Sequence, residues 1–153
     1  MSVEIKAHAV AVHVLRRVGE VWQVLILYRT SATIGWSQVA GGIEAGEKAW
    51  QAGLRELREE ASLVPETYYS ADFCEQFYDY ENDCICIFPV FVAMVAAHAQ
   101  VVLNDEHSAF RWASFEEADA LLPYPGQRRA IAMIRDAFVL RSPDPLLRIE
   151  GWR

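Results

Sequence analysis

The sequence predicts an α+β fold, an α/β/α sandwich built on a mixed β-sheet. Three observations lead there. Strand-like segments come first, then one long amphipathic helix, then more strands and closing helices, an order unlike the regular alternation of a doubly wound sheet. Apolar residues make up 53% of the 153 and charged residues 23%, the balance of a packed chain rather than a disordered one. No internal repeat, low-complexity run or linker divides the sequence, so one folded unit over residues 1–153 is expected.

The elements follow in order. "KAHAVAVHVLR" (6–16) and "VWQVLILYR" (21–29) are rich in Val and alternate loosely, so they form two strands, joined as a hairpin across the break at Gly19. "TSATIG" (30–35) is a loop, and "WSQVAGG" (36–42) is a short strand running into a glycine turn. Residues 47–61 form the clearest helix. The segments at 67–80 and 83–97 make a second strand pair around the turn signal "ENDC". "HSAFRWAS" (107–114) is a last strand. "SFEEADALL" starts a helix, with Ser114 to cap it and acids in its first turn. "GQRRAIAMIRDAFVLR" closes as an amphipathic helix with Ile131, Ile134 and Phe138 at helical spacing.

Composition also excludes function classes. The stretch from Cys84 to Asn104 lacks formal charge, but Pro89, His98 and Gln100 interrupt it and its β-branched content suits a buried strand, so no membrane span is expected. Glu4, Lys6, Arg16 and Arg17 leave no clean apolar leader, which points to the cytoplasm. Three cysteines argue against a disulfide framework; Cys84 and Cys86 read as small hydrophobes on one face of a strand, with a metal-binding pair as the alternative. A net charge of −7 disfavours polymeric nucleic acid, yet it admits a small anionic substrate if a divalent cation supplies local positive charge.

Such a cation has an obvious place. On a helix over 47–62, Trp50, Leu54, Leu57 and Ala61 form a core-facing stripe, and Glu56, Glu59 and Glu60 share an arc of about 100° beside it. Like charges so spaced, in the half of the helix where the macrodipole disfavours anions, require compensation. Arg55 and Arg58 can provide it in a solvated, salt-bridged face. Alternatively, the three carboxylates bind a hard cation, Mg²⁺ or Mn²⁺, beneath the backbone carbonyls of Gly41 and Gly42, where the lack of a Cβ permits close approach.

These residues resemble the Nudix box: G, five residues, E, seven residues, R-E, an aliphatic, any residue, E-E, any residue, G, an aliphatic. Here Gly41, Glu47, Arg55, Glu56, Leu57, Glu59, Glu60 and Leu63 keep every spacing over 41–63, and Ser62 replaces the final glycine. If Ser62 closes the helix in a left-handed conformation, it costs on the order of 1 kcal/mol. A second departure is Ala40, where many members have Pro. The resemblance implies a Nudix-type sandwich carrying the box as loop-helix-loop, and hydrolysis of a nucleoside diphosphate linked to a further moiety. It implies Glu56, Glu59, Glu60 and the Gly41 carbonyl as metal ligands. Glu47 and Arg55 become the pair that orients the helix face, with Gly42 part of the same support, and Glu59 or Glu60 the candidate general base.

Outside the box, "DEH" before "SAFRW" is similar to a segment that lends the metals a further glutamate in dATP and dihydroneopterin triphosphate pyrophosphohydrolases. That makes Glu106 a metal ligand or base, against a plain loop acid, and leaves His107 a structural hydrogen-bonder. Arg29, ending a strand before the box, is a candidate phosphate contact or a surface Arg. Trp36 could stack on a base, or belong to the core. Tyr78, Tyr80 and Trp152 are lesser stacking candidates. The implied activity is Mg²⁺-dependent cleavage of a nucleoside or pterin triphosphate to monophosphate and pyrophosphate, by a monomer or homodimer. The alternatives are a hydrolase of dinucleoside polyphosphates or of a nucleotide sugar such as ADP-ribose, and a non-catalytic domain that senses a nucleotide.

Overall fold

The computed structural model describes residues 1–31 and 35–153. The first predicted strand divides at His8 into β1 (Glu4–Lys6) and β2 (Ala9–Val18). β2 turns through Gly19, whose φ of +62° suits a residue without a Cβ, into β3 (Val21–Arg29). Their antiparallel register, Leu15 opposite Val24 through Val18 opposite Val21, is the expected hairpin. Of the predicted loop at 30–35, residues 32–34 lie outside the described residues.

β4 (Trp36–Ser37) pairs with β3, and β5 (Val39–Gly42) pairs with β2. Here the structure corrects the predicted glycine turn, because Gly41 lies opposite Val10 and Gly42 opposite Ala9 as strand residues. The turn comes later, at Gly46 with φ +78°, and α1 accordingly runs Ala49–Ala61 rather than from 47. Its last turn closes at Ser62 in the left-handed region, φ 58° and ψ 32°, and the Ser62 hydroxyl donates to the Val102 carbonyl at 3.0 Å.

β6 (Thr67–Asp79) and β7 (Cys84–Met94) form the second hairpin, with a register shift between Ser70 and Cys74 where Asp72 takes a positive φ. β7 also runs parallel to β2, from Ala11 opposite Val90 to Leu15 opposite Met94, and parallel to β1, which makes the sheet mixed. β8 (His107–Ala113) pairs antiparallel with β3. α2 (Phe115–Leu121) begins with a capping box, Ser114 Oγ accepting from Glu117 N at 3.0 Å and Glu117 Oε1 accepting from Ser114 N at 3.2 Å. α3 (Pro125–Ile134) continues into a wider π-type turn over Arg135–Val139.

The strand period of two sorts the core into two layers. Val10, Val12, Val14, Leu25 and Leu27 face α1 and bury its Ala52, Leu57 and Ala61. Ala11, Leu15, Val24 and Ile26 face the other way, against Phe115, Leu122, Ile131, Ile134 and Phe138 of the C-terminal helices. Each Val, Leu, Ile or Phe among them gains roughly 1.5–3 kcal/mol on full burial, so an α/β/α sandwich is the packing this alternation favours. No helix among the described residues is long and apolar enough to cross a membrane.

Candidate active site

α1 approaches the sheet closely at Gly53, where an added Cβ would run into the Tyr68 hydroxyl, and that hydroxyl donates to the Trp50 carbonyl at 3.0 Å. Glu56 and Glu60, three and seven residues beyond Gly53, share its helix face. The predicted stripe is therefore rotated: Ala52, Gly53, Glu56, Leu57, Glu60 and Ala61 are buried, while Trp50 and Leu54 are half-buried. Two of the three acids face inward, and Glu59 alone stays exposed.

Glu60 is 2% exposed, and its Oε2 accepts the Ala40 backbone N–H at 3.1 Å. Burial pushes its carboxyl up to about 9, opposed by the Ala40 bond and reinforced by Glu56 and Glu106. Burial likewise raises Glu56, although Arg55 pulls it back. Gly41 is the reason Glu56 fits: a Cβ there would fall on the Glu56 carboxylate. Close approach, not turn geometry, is what this glycine provides.

Arg55 braces the group. It donates from Nε and Nη2 to the two oxygens of Glu47, at 2.8 and 3.0 Å, and from Nη2 to the Gly42 carbonyl at 2.7 Å. Nη1 reaches Glu56 at 2.7 Å and Glu59 at 3.3 Å. The hydrogen bond to Glu47 is the chief reason the guanidinium holds its proton above the usual arginine range, and the same bond lowers the Glu47 carboxyl.

The remaining corner comes from the loop before β8, the strand paired with β3. Thr30 N donates to the Glu106 carbonyl at 3.0 Å and Thr30 Oγ1 to the Asp105 carbonyl at 3.1 Å, pinning the loop before β8 to the end of β3. That loop brings Glu106, exposed, and His107, buried, to Glu60, with one potential ligand atom of each lying within 4.8 Å of the others. His107 is the residue that sequence reasoning placed outside the chemistry. Its Nδ1 is buried without a hydrogen-bond partner among the described residues, and burial first, then Arg29, lowers its pKa. The "DEH" triplet was the available signal. Arg29 lies opposite His107 in the β3–β8 register, at an irregularity between Tyr28 and Arg29. Trp36 is half-buried, its ring meeting Tyr28 edge-on at 5.2 Å and packing beside the core layer of the C-terminal helices.

Of the lesser candidates, Tyr78 and Tyr80 are exposed near the β6–β7 turn, and Trp152 packs against Tyr68. The ligand group itself comprises Glu60, Glu106 and His107. The donor set of that group is carboxylate oxygen with one imidazole and no thiol, which suits a hard divalent cation. A buried carboxylate held beside two others also fits such an ion, because the ion supplies the compensation that water cannot.

The NUDIX domain model matches residues 6–136 of the chain. The protein belongs to the Nudix family. Among relatives of this Nudix domain, the asymmetrical bis(5'-nucleosyl)-tetraphosphatase of Caenorhabditis elegans is 26% identical over 104 residues, 67% of this chain and 75% of that one. The dihydroneopterin triphosphate diphosphatase of Escherichia coli K12 is 28% identical over 126 residues, 71% of this chain and 80% of that one. The solved structure of the E. coli dihydroneopterin triphosphate pyrophosphohydrolase superposes with a TM-score of 0.74 at 23% identity, covering 91% of this chain and 99% of that one. As a Nudix hydrolase, the protein acts on phosphoric anhydride bonds.

Proposed function

We propose that this Nudix hydrolase is a Mg²⁺-dependent pyrophosphohydrolase that cleaves a nucleoside or pterin triphosphate to the monophosphate and pyrophosphate, with residues 1–153 as its one domain. The observation that carries the reading is the meeting of Glu60 from α1, deeply buried, with Glu106 and His107 at the start of β8, Glu56 lying near enough for its charge to act on Glu60. Glu56, Glu59, Glu60, Glu106 and the Gly41 carbonyl would hold the cation. A Mg²⁺ held by them would supply neutralisation of the charge developing on the leaving phosphate and a lowered pKa for a bound water.

The chain's own groups do the rest. Arg55, tied to Glu47 and Gly42, keeps the Glu56 carboxylate turned toward Gly41. Arg29, at the end of β3 and opposite His107, would meet a phosphate oxygen. Trp36, half-buried, would stack its indole face on a base or pterin ring. One of Glu59, Glu60 and Glu106 takes the proton of the attacking water. The likeness to the E. coli diphosphatase supports a triphosphate substrate.

A second reading, hydrolysis of a dinucleoside polyphosphate, draws on the likeness to the C. elegans tetraphosphatase. A panel assay separates the readings: purified protein with Mg²⁺ against the common nucleoside triphosphates, dihydroneopterin triphosphate, ADP-ribose and diadenosine polyphosphates, with products resolved by chromatography. Pyrophosphate release from a triphosphate is expected. Cleavage confined to dinucleotides would move the assignment to the second reading, and nucleotide binding without turnover would leave a sensor.

A further inference from the structure

A second cluster of ligand-bearing side chains lies at the tip of the β6–β7 hairpin, on elements that contribute nothing to the box. Asp79 ends β6, and Cys84 and Cys86 open β7 two residues apart. The register sets Asp79 opposite Cys84 and Phe77 opposite Cys86, so the strand period puts Asp79 and both thiols on one face. One ligand atom from each of the three lies within 4.8 Å of the others, and both cysteines are buried, 1% and 4% exposed.

The two sulfurs stand 3.8 Å apart. A tetrahedral ion with metal–sulfur bonds of about 2.3 Å separates its sulfur ligands by about 3.8 Å, so no rearrangement of the strand is needed to bring both thiolates onto one centre. Asp79 is only half-buried and offers the ion a route in from solvent. β1 adds charge balance. Two thiolates and a carboxylate around a divalent ion leave one surplus negative charge, and Lys6, in register with Cys86 across β1–β7 and 3.8 Å from Glu4, lies close enough to favour the charged forms of both Asp79 and Cys86 electrostatically. Without an ion, burial and the neighbouring Cys84 raise the Cys86 thiol, so that it stays protonated and packs as a small hydrophobe.

We propose that Asp79, Cys84 and Cys86 form a binding site for a thiophilic divalent ion of the zinc class, separate from the box carboxylates, with water in the fourth position. Binding displaces the thiol protons to solvent and leaves the sulfurs reduced, so no oxidant is needed. Soft thiolate donors also separate the two sites chemically, because Mg²⁺ does not compete for them.

The test is titration of the reduced, full-length protein with Co²⁺ in excess Mg²⁺, followed by absorbance. One equivalent of Co²⁺ should develop an intense near-ultraviolet thiolate-to-cobalt charge-transfer band, which Zn²⁺ then bleaches. The band should survive Cys74→Ser and disappear in Cys84→Ala or Cys86→Ala. Asp79→Asn, whose amide oxygen can still accept the Glu81 and Asn82 backbone N–H groups that Asp79 Oδ1 holds in the turn, should keep the band but weaken binding by about tenfold or more. Absence of a charge-transfer band from wild-type protein whose thiols titrate as reduced would overturn the site, as would a band that survives loss of both Cys84 and Cys86. Neither result bears on hydrolysis, which rests on the carboxylates of α1.

Discussion

Arg55 and Glu47 are joined by two parallel hydrogen bonds, 2.8 and 3.0 Å, eight residues apart and across the start of α1. The same guanidinium also holds Glu56 and the Gly42 carbonyl, so one planar group fixes the loop, the strand and the helix around the carboxylates. Lysine keeps the charge but not the fork. Arg55→Lys should therefore fold, melt at a lower temperature and lose activity by about 10–100-fold, the range found when a group orienting metal ligands is removed. Activity within twofold of wild type at saturating Mg²⁺ would show that the fork is dispensable.

Gly41→Ala tests the close approach of strand to helix. The new Cβ meets the end of a side chain, yet Glu56 is buried and held by Arg55, so it has little room to yield. The strand itself tolerates alanine, since Gly41 has no positive φ. The expected outcome is a native circular dichroism spectrum with the Mg²⁺ needed for half-maximal activity raised by about tenfold or more. An unchanged Mg²⁺ dependence would mean that Glu56 does not need its present position.

Glu60→Gln separates charge from shape. With its pKa near 9, Glu60 is largely neutral at pH 7 when no ion is bound, and the glutamine carbonyl can still accept the Ala40 N–H. The variant in EDTA should melt close to wild type, while turnover with Mg²⁺ falls by several orders of magnitude because a charged ligand is gone. Near-normal turnover would remove Glu60 from the metal group, and a collapsed melting profile would make it a structural acid.

How much of this was legible beforehand depended on the range of the interaction. β3 carries its own periodicity and Ser114 its own cap, so the strand at 21–29 and the start of α2 could be read locally. The spacing of Glu56, Glu59 and Glu60 placed three acids on one arc, but not which of them turns inward. That is settled by Gly53 against Tyr68 and Gly41 against Glu56, contacts between elements that no helical wheel contains. His107 was missed for the same reason, because its proximity to Glu60 depends on β8 pairing with β3 and on Thr30 holding the loop. The glycine pair was misread as a turn since a glycine in the sequence does not say whether a bend or a neighbour excludes a Cβ; at Gly41 it is the Glu56 carboxylate that does so.

His13 gives a prediction independent of catalysis. It lies on β2 between Ala11 and Leu15, fully buried, with neither ring nitrogen hydrogen-bonded among the described residues. Burial lowers its pKa to about 4 from an ordinary 6.5. A group depressed in the folded state contributes stability that is whole above its unfolded pKa and is lost as pH falls through the folded one. The window therefore runs from about pH 6.5 down to about pH 4, and the shift corresponds to about 3 kcal/mol across it. Carboxylates titrate there too, so the informative quantity is the difference between wild type and His13→Leu in denaturant melts. The variant should be the more stable at pH 7, having exchanged an unpaired buried polar ring for an apolar side chain, and its advantage should grow as the pH falls to 4. An advantage constant with pH would mean that His13 is already charged, or already partnered, in the folded protein.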